Sequence, residues 1–232
     1  MISVIIPAHN EKRNLEKLIP LLLANSKFAS CEIIVSLSSE NSDQSEEILQ
    51  NFNVIVLRCS KKGRAIQMNE AVARCKGDII AFLHADVIPP ATFLSDIQKT
   101  IAAGYEAGFF SYRFDTDNFF LKVNATFTAR DGIFTGGGDQ CLFIKKALFE
   151  QLGAFDENQV VMEDFEFFDR MKEQKVRYKI VKSDLVVSAR KYKNNPYLRV
   201  NLSNLLLLTL FKMGYPSKKL KSLHNKLLNT SY

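Results

Sequence analysis

Ile2-Ser3-Val4-Ile5-Ile6-Pro7-Ala8-His9-Asn10-Glu11 opens the chain with a β-branched run that breaks at a proline and passes at once into polar residues. Residues 3–6 read as a strand. The stretch 11–23 then carries Leu15, Leu18, Ile19 and Leu22, the i, i+3, i+4, i+7 stripe of an amphipathic helix. The alternation repeats, with strands expected over 32–37, 54–57 and 78–83. Helices are expected over 45–51, capped by Asp43 or Ser45, over 65–75, and over 91–103, which Pro89-Pro90 opens. Strand–helix alternation at this pitch predicts an α/β fold, a mostly parallel sheet with helices on both faces.

After Gly104 the pattern changes. Residues 108–114 alternate and are aromatic, as suits an antiparallel addition or an edge, and 119–127 read as an apolar helix. Gly136-Gly137-Gly138 makes a loop before a strand over 140–144 and a helix over 146–152. A helix over 163–174 buries Phe165, Phe168 and Met171, and strand signals recur at 178–181 and 186–187. No period of 20–50 residues repeats, which excludes a solenoid.

At 232 residues the chain is one large domain or one with a small appendage. With 47% hydrophobic and 24% charged residues, it is neither disordered nor of low complexity. The net charge of +6 suits phosphates, nucleotides or acidic lipid and is too small to argue for nucleic acid. Cys31, Cys59, Cys75 and Cys141 form no C-x-x-C pair and have no histidine at zinc-finger spacing, so reduced thiols packed as small hydrophobes are expected. The first residues have no basic segment ahead of the apolar run, so no signal peptide is read and a cytoplasmic protein is expected.

The C-terminus reads as a helix over 197–213 containing Leu205 to Leu208. Its apolar core is about 10 residues, where a membrane span needs roughly 20. Lys212, Lys218, Lys219, Lys221 and Lys226 follow. Residues 1–190 are expected to form the main domain, with 191–232 a helical extension packed on it. That extension reads either as a docked helix with a solvated basic tail, or as a surface for the inner face of a membrane or a second subunit.

Five motifs can carry chemistry. Pro7 to Glu11 follows the first strand, where open parallel sheets bind ligands, though Asn10 or Glu11 could simply cap the next helix. His84-Ala85-Asp86 ends the fourth strand and offers a carboxylate, with His84 as a possible nitrogen, for Mg2+ or Mn2+; the alternative is a capping aspartate. The basic turn Lys61 to Arg64 opens a helix and suits a phosphate or only solvent. Glu163-Asp164 starts the Phe-rich helix, as a general base or as complement to the helix dipole. Gly136 to Gln140 shapes an acceptor pocket or a plain turn.

In this order the motifs resemble the family 2 glycosyltransferases, which have the Rossmann-like GT-A fold. Ser3 to Glu11 resembles that family's first strand and nucleotide loop, His84-Ala85-Asp86 its D-x-D metal motif, and Glu163-Asp164 its E-D base. Gly63-Arg64-Ala65-Ile66-Gln67-Met68-Asn69, Phe82 to Asp86, Asp139-Gln140 and Ser188-Ala189-Arg190 are similar to a small bacterial branch associated with radical-SAM, selenium-related and arsenosugar-biosynthesis genes. The resemblance implies an inverting, metal-dependent transfer of a sugar from a nucleotide-diphosphate donor to a hydroxyl acceptor, small or lipid-linked. It implies that Pro7, Ala8, His9, Glu11, Ser38, Arg64 and Ala85 hold the nucleotide, and that Asp86, with His84, holds Mn2+ or Mg2+. Gly137, Gly138, Asp139 and Gln140 would face the acceptor, Asp164 would be the base, and Glu163 its support. Two positions depart from the family pattern: Ser38 stands near the usual base-reading aspartate, and His84 replaces the first aspartate of D-x-D.

Two other readings compete. A nucleotidyltransferase would share the sheet and the metal carboxylate, but it usually carries a Gly-rich loop with a basic residue after strand one, where this chain has Pro7-Ala8-His9-Asn10-Glu11. A degenerate nucleotide-sugar-binding module is motivated by Ser38 and His84, and turnover would separate it from an enzyme.

Overall fold

A computed structural model of the chain describes residues 1–26, 30–132 and 135–228. The first half alternates as β1 (Ile2–Ala8), α1 (Lys12–Ser26), β2 (Cys31–Leu37), α2 (Ser45–Leu49), β3 (Ile55–Arg58), α3 (Arg64–Val72) and β4 (Ile79–Phe82). Then come β5 (Val87–Ile88), α4 (Phe93–Ala102), β6 (Ala107–Phe114), α5 (Phe119–Thr128), β7 (Phe143–Lys145), α6 (Lys146–Gln151), α7 (Glu163–Glu173) and β8 (Tyr178–Val187). The chain continues through α8 (Arg190–Lys193), α9 (Tyr197–Lys212) and α10 (Ser217–Leu227).

The strands form one sheet in the order β3-β2-β1-β4-β7-β6-β8-β5. β1 to β4 run parallel, β7 is antiparallel to both of its neighbours, and β6 is parallel to β8. Period-2 side-chain alternation places Ile2, Val4 and Ile6 in the core beneath α1, α2 and α4. Ile5 faces the opposite core, built with α3, α6 and α7. Burial on both faces explains why these strands are continuous apolar runs.

The structure corrects several expectations. β6 adds antiparallel to β7, one of the two readings of 108–114, and is interior rather than an edge, because β8 pairs along its other side. The two late strand signals belong to one strand, β8, with an irregularity opposite Phe110 and Tyr112. The expected strand over 140–144 begins as a 3-10 turn at Gly138–Gln140, and β7 starts only at Phe143. The basic tail is not simply solvated. Leu220 is fully buried, because α10 alternates leucines with lysines and packs on α9. Cys59, Cys75 and Cys141 are buried thiols, and Cys31 is half-buried.

The stretch 119–127 is helical, yet only Leu121 is buried and most of its apolar residues face outward. Phe119, Phe120, Val123 and Phe127 on α5 are exposed, as are Leu198, Leu202, Leu205 and Leu206 on α9. The two helices meet: Asn124 Nδ2 donates to Asn201 Oδ1 at 2.9 Å, and the Phe120 and Tyr197 rings pack at 5.2 Å. Among the described residues no helix is long and apolar enough to cross a membrane.

Candidate active site

The crevice lies beyond the carboxyl ends of β1, β2 and β4. Pro7 and Ala8 are buried within β1 and form its floor. The Ala8 carbonyl accepts from Ser38 N at 2.9 Å and from Gln67 Nε2 at 3.0 Å. Gln67 also donates to Ser36 O at 2.7 Å, so a buried amide on α3 clamps the ends of both strands. Ser38 is itself buried and starts the turn after β2, where its Oγ accepts from Glu40 N at 3.4 Å. His9 is half-buried, and among the described residues its Nδ1 is a buried nitrogen without a hydrogen-bond partner.

The loop after β1 is fixed from β2. Asn10 adopts a left-handed φ of 56°, a conformation that asparagine tolerates. Asn10 N donates to Asn41 Oδ1 at 2.7 Å, and Asn10 Oδ1 accepts from Ser42 N at 2.8 Å. Asp43 serves two helices, accepting from Lys12 N at 2.6 Å and from Ser45 N at 3.1 Å. Asp43 takes the Lys12 N–H, while Glu11 stands at the start of α1: its carbonyl accepts from Asn14 N at 3.0 Å and Leu15 N at 2.9 Å, its Oε2 accepts from Asn14 Nδ2, and its Oε1 faces the crevice.

A tight turn, with Val87 N bonded to His84 O at 3.2 Å, sets His84 and Asp86 around the buried Ala85. His84 Nε2 lies 3.3 Å from Arg64 Nη1, and its Nδ1 lies 3.5 Å from Asp139 Oδ1. Asp86 Oδ2 and Glu11 Oε1 share one guanidinium nitrogen, Arg190 Nη2, at 3.1 and 3.2 Å. Burial, then the negative charge of Asp139, raises the Asp86 carboxyl above the ordinary aspartate range. Among the described residues no three acidic, histidine or cysteine side chains close on one point as a metal cluster. The donor set still fits a hard divalent ion. Two carboxylates already surround one positive group, and such ions take few protein oxygens and complete their shell with phosphate.

Opposite this pair, Arg64 Nε is ion-paired with Glu163 Oε1. Met162 takes a left-handed φ of 65° to start α7, which points both acidic residues at the crevice. Burial, the largest influence, pushes the Glu163 carboxyl up, but the Arg64 charge and hydrogen bond, with the backbone N–H and His84, together outweigh it and hold Glu163 below its usual range. Asp164 moves the other way, raised by burial and by the Glu163 charge. Its Oδ2 accepts from Gly138 N and its Oδ1 from Phe165 N.

The glycine loop is thus tied to the base candidate. A Cβ on Gly138 would stand 2.5 Å from His84 Cε1 and 3.0 Å from Asp164 Oδ2, so any larger residue there must displace the His84 ring or the loop. Gly137 and the half-exposed Asp139 line the mouth. Gln140 differs from its expected acceptor role. It is buried, its Oε1 accepts from Gly136 N at 3.0 Å, and its Nε2 donates to Thr128 O at 3.1 Å, so it holds the loop from beneath. Beyond the loop a groove of about 320 Å³ runs between α7 and α9, past Thr135, Phe165, Phe168, Leu205 and Leu208. The C-terminal hairpin reaches the same side, since Ser217 Oγ accepts from Val160 N at 2.8 Å just ahead of α7.

The sequence brought forward Glu11, Arg64, His84, Asp86, Asp139, Glu163 and Asp164, and the structure gathers all seven here. Gln67 and Asn41 were not read as site residues, and Arg190 was noted only as part of a likeness.

Several solved structures share the fold. S. aureus TarS 1-349 aligns with a TM-score of 0.67 at 17% identity, over 90% of this chain and 65% of that one. Its complex with UDP-GlcNAc aligns at 0.67 and 16%, over 96% and 70%. The mannosyltransferase PcManGT from Pyrobaculum calidifontis, in complex with GDP-Man and Mn2+, aligns at 0.67 and 19%, over 97% and 69%. The chain therefore spans about two thirds of the length of these proteins. No curated protein matches the sequence. The profile of Glycosyl transferase family 2 matches residues 3–179, from β1 into β8 and across nearly all of the crevice, so the chain belongs to that family.

Proposed function

We propose that the chain moves a sugar from a nucleoside diphosphate to a hydroxyl acceptor with inversion, Asp164 taking the acceptor proton. The observation that carries this reading is the divergence of two adjacent carboxylates. Glu163 is committed to Arg64 and kept ionised, while Asp164 beside it is raised and fixed against the glycine loop. A raised carboxylate is a stronger base near neutrality. The nucleoside lies over Pro7, Ala8 and His9, with Glu11, Ser38 and Ala85 around it, and its diphosphate points toward Arg64 and Asp86. Gly137, Gly138 and Asp139 face the acceptor. Asp86 and Glu11, with His84 beside them, would hold Mn2+ or Mg2+, and such an ion when bound stabilises the charge on the departing diphosphate. A single base opposite the leaving group is what inversion requires.

The narrower placement is with the branch associated with arsenosugar biosynthesis, supported by Gly63 to Asn69 and Ser188 to Arg190. The paired apolar faces of α5 and α9 support an anionic lipid surface as the site of peripheral attachment near a lipid-linked or apolar acceptor.

The probes follow from the neighbours' ligands: uridine and guanosine diphosphate sugars. A thermal-shift panel with and without Mn2+ selects the donor, since ligand at about 100 times Kd adds about 2.7 kcal/mol. Release of nucleoside diphosphate in the presence of candidate acceptors then separates an enzyme from a binding module. A donor that binds and is never turned over would favour the module.

A further inference from the structure

The chain carries a cation of its own to the place where a donor's diphosphate would lie. β5 pairs antiparallel with β8, Val87 opposite Val187, so the residue before β5, Asp86, comes beside the segment that follows β8. That segment is tethered. Ala189 N donates to Asp115 Oδ1 at 2.7 Å, and Arg190 N donates to Ser188 Oγ at 3.3 Å. From this anchored turn Arg190 reaches back across the crevice. Its Nη2 lies 3.1 Å from Asp86 Oδ2 and 3.2 Å from Glu11 Oε1. One nitrogen thereby joins the carboxylate after β1 to the carboxylate after β4.

The charge balance gives this arrangement a use. Glu11, Asp86 and Asp139 collect negative charge at the crevice, and a nucleoside diphosphate would bring more. A guanidinium is charged at every working pH, and its planar fork matches pairs of phosphate oxygens as well as it matches carboxylates. The Arg190 side chain is 45% exposed at the mouth, so an entering anion can reach it.

We propose that Arg190 is a diphosphate-binding residue: it clasps Glu11 and Asp86 in the nucleotide-free protein and gives its guanidinium to the phosphate oxygens of a bound nucleoside diphosphate. Part of the diphosphate affinity then does not depend on a divalent ion. The proposal rests on the donor-site reading above.

The test is calorimetric titration of UDP and GDP into the full chain, once with Mn2+ and once with EDTA. It compares the unsubstituted protein, Arg190→Lys and Arg190→Gln, with circular dichroism and thermal melting to show that each variant is folded. The lysine variant keeps the charge should the glutamine variant fold poorly. The unsubstituted protein is expected to bind one of the two nucleotides in EDTA. Arg190→Gln is expected to lose about ten-fold or more of that affinity, and Arg190→Lys to fall between. Two results overturn the proposal: binding by Arg190→Gln in EDTA at least as tight as that of the unsubstituted protein, or unsubstituted protein that binds only with Mn2+. Absence of binding under both conditions overturns the donor-site reading, and this proposal with it.

Discussion

Arg64 and Glu163 are the first residues of α3 and α7, and they meet across the crevice as an ion pair between positions 99 apart in the chain. The pair joins the helix that opens on the proposed donor side to the helix that carries the proposed base. It also sets the protonation of Asp164, which is raised by burial and then by the Glu163 charge.

Replacing Glu163 by glutamine removes that charge. The base acts deprotonated, so kcat/KM falls as pH drops through the Asp164 value, which lies above the ordinary aspartate range. In Glu163→Gln the acid limb moves to lower pH, since both the lost repulsion and the released Arg64 favour ionised Asp164. A pH–rate series on both proteins reads the shift, and an unmoved limb would break the link. Glu163 itself stabilises the fold above its unfolded value, and that contribution is lost as pH falls through its lower folded value.

Asp164→Asn is expected to lower turnover by about 10²–10⁴, the usual worth of a positioned acid or base. Donor affinity changes little, because the side chain faces the glycine loop rather than the strand ends. A rate assay beside donor calorimetry separates the two roles. Normal turnover with lost donor affinity would make Asp164 a binding residue.

Gly138→Ala tests the loop. The added methyl meets His84 and Asp164, and overpacking of this kind costs about 1–3 kcal/mol. The His84 ring or the loop must shift, so activity is expected to fall about ten-fold while the sheet stays folded. Unchanged activity with an unchanged melting temperature would show that His84 and Asp164 move freely, contrary to the packing.

The fold was legible because β1 to β4 and their helices each announce themselves locally, through β-branched runs and apolar stripes. The second half was less so. For β6 an antiparallel addition and an edge both stay open, because its pairing with β8 joins residues 107–114 to 178–187, a relation that no local pattern records. The site divides in the same way. Glu11, Asp86 and Asp164 sit at the ends of readable elements and could be named. Arg190 reaches them only through the β5–β8 pairing, and Gln67 looks like an ordinary helix residue until its amide is seen to close on Ala8 and Ser36. The α10 leucines were masked by the lysines between them.

The apolar face has its own test. Phe120→Ser with Leu202→Ser removes two exposed side chains, one from each helix, so stability is expected to change little. Co-sedimentation with vesicles rich in anionic lipid is expected for the unsubstituted protein and reduced at least several-fold for the double variant. Equal sedimentation of both would free this face of a lipid role.

The crevice beyond β1 and β4 is proposed to bind a sugar nucleotide through its diphosphate. Calorimetric titration of UDP and GDP, with and without Mn2+, into the unsubstituted protein and Asp86→Ala tests it most directly. One nucleotide is expected to bind the unsubstituted protein about ten-fold or more tightly with Mn2+, a difference of about 1.4 kcal/mol, and this increment is expected to vanish in a folded Asp86→Ala. An Mn2+ increment that survives in Asp86→Ala, or a protein to which neither nucleotide binds, would contradict it.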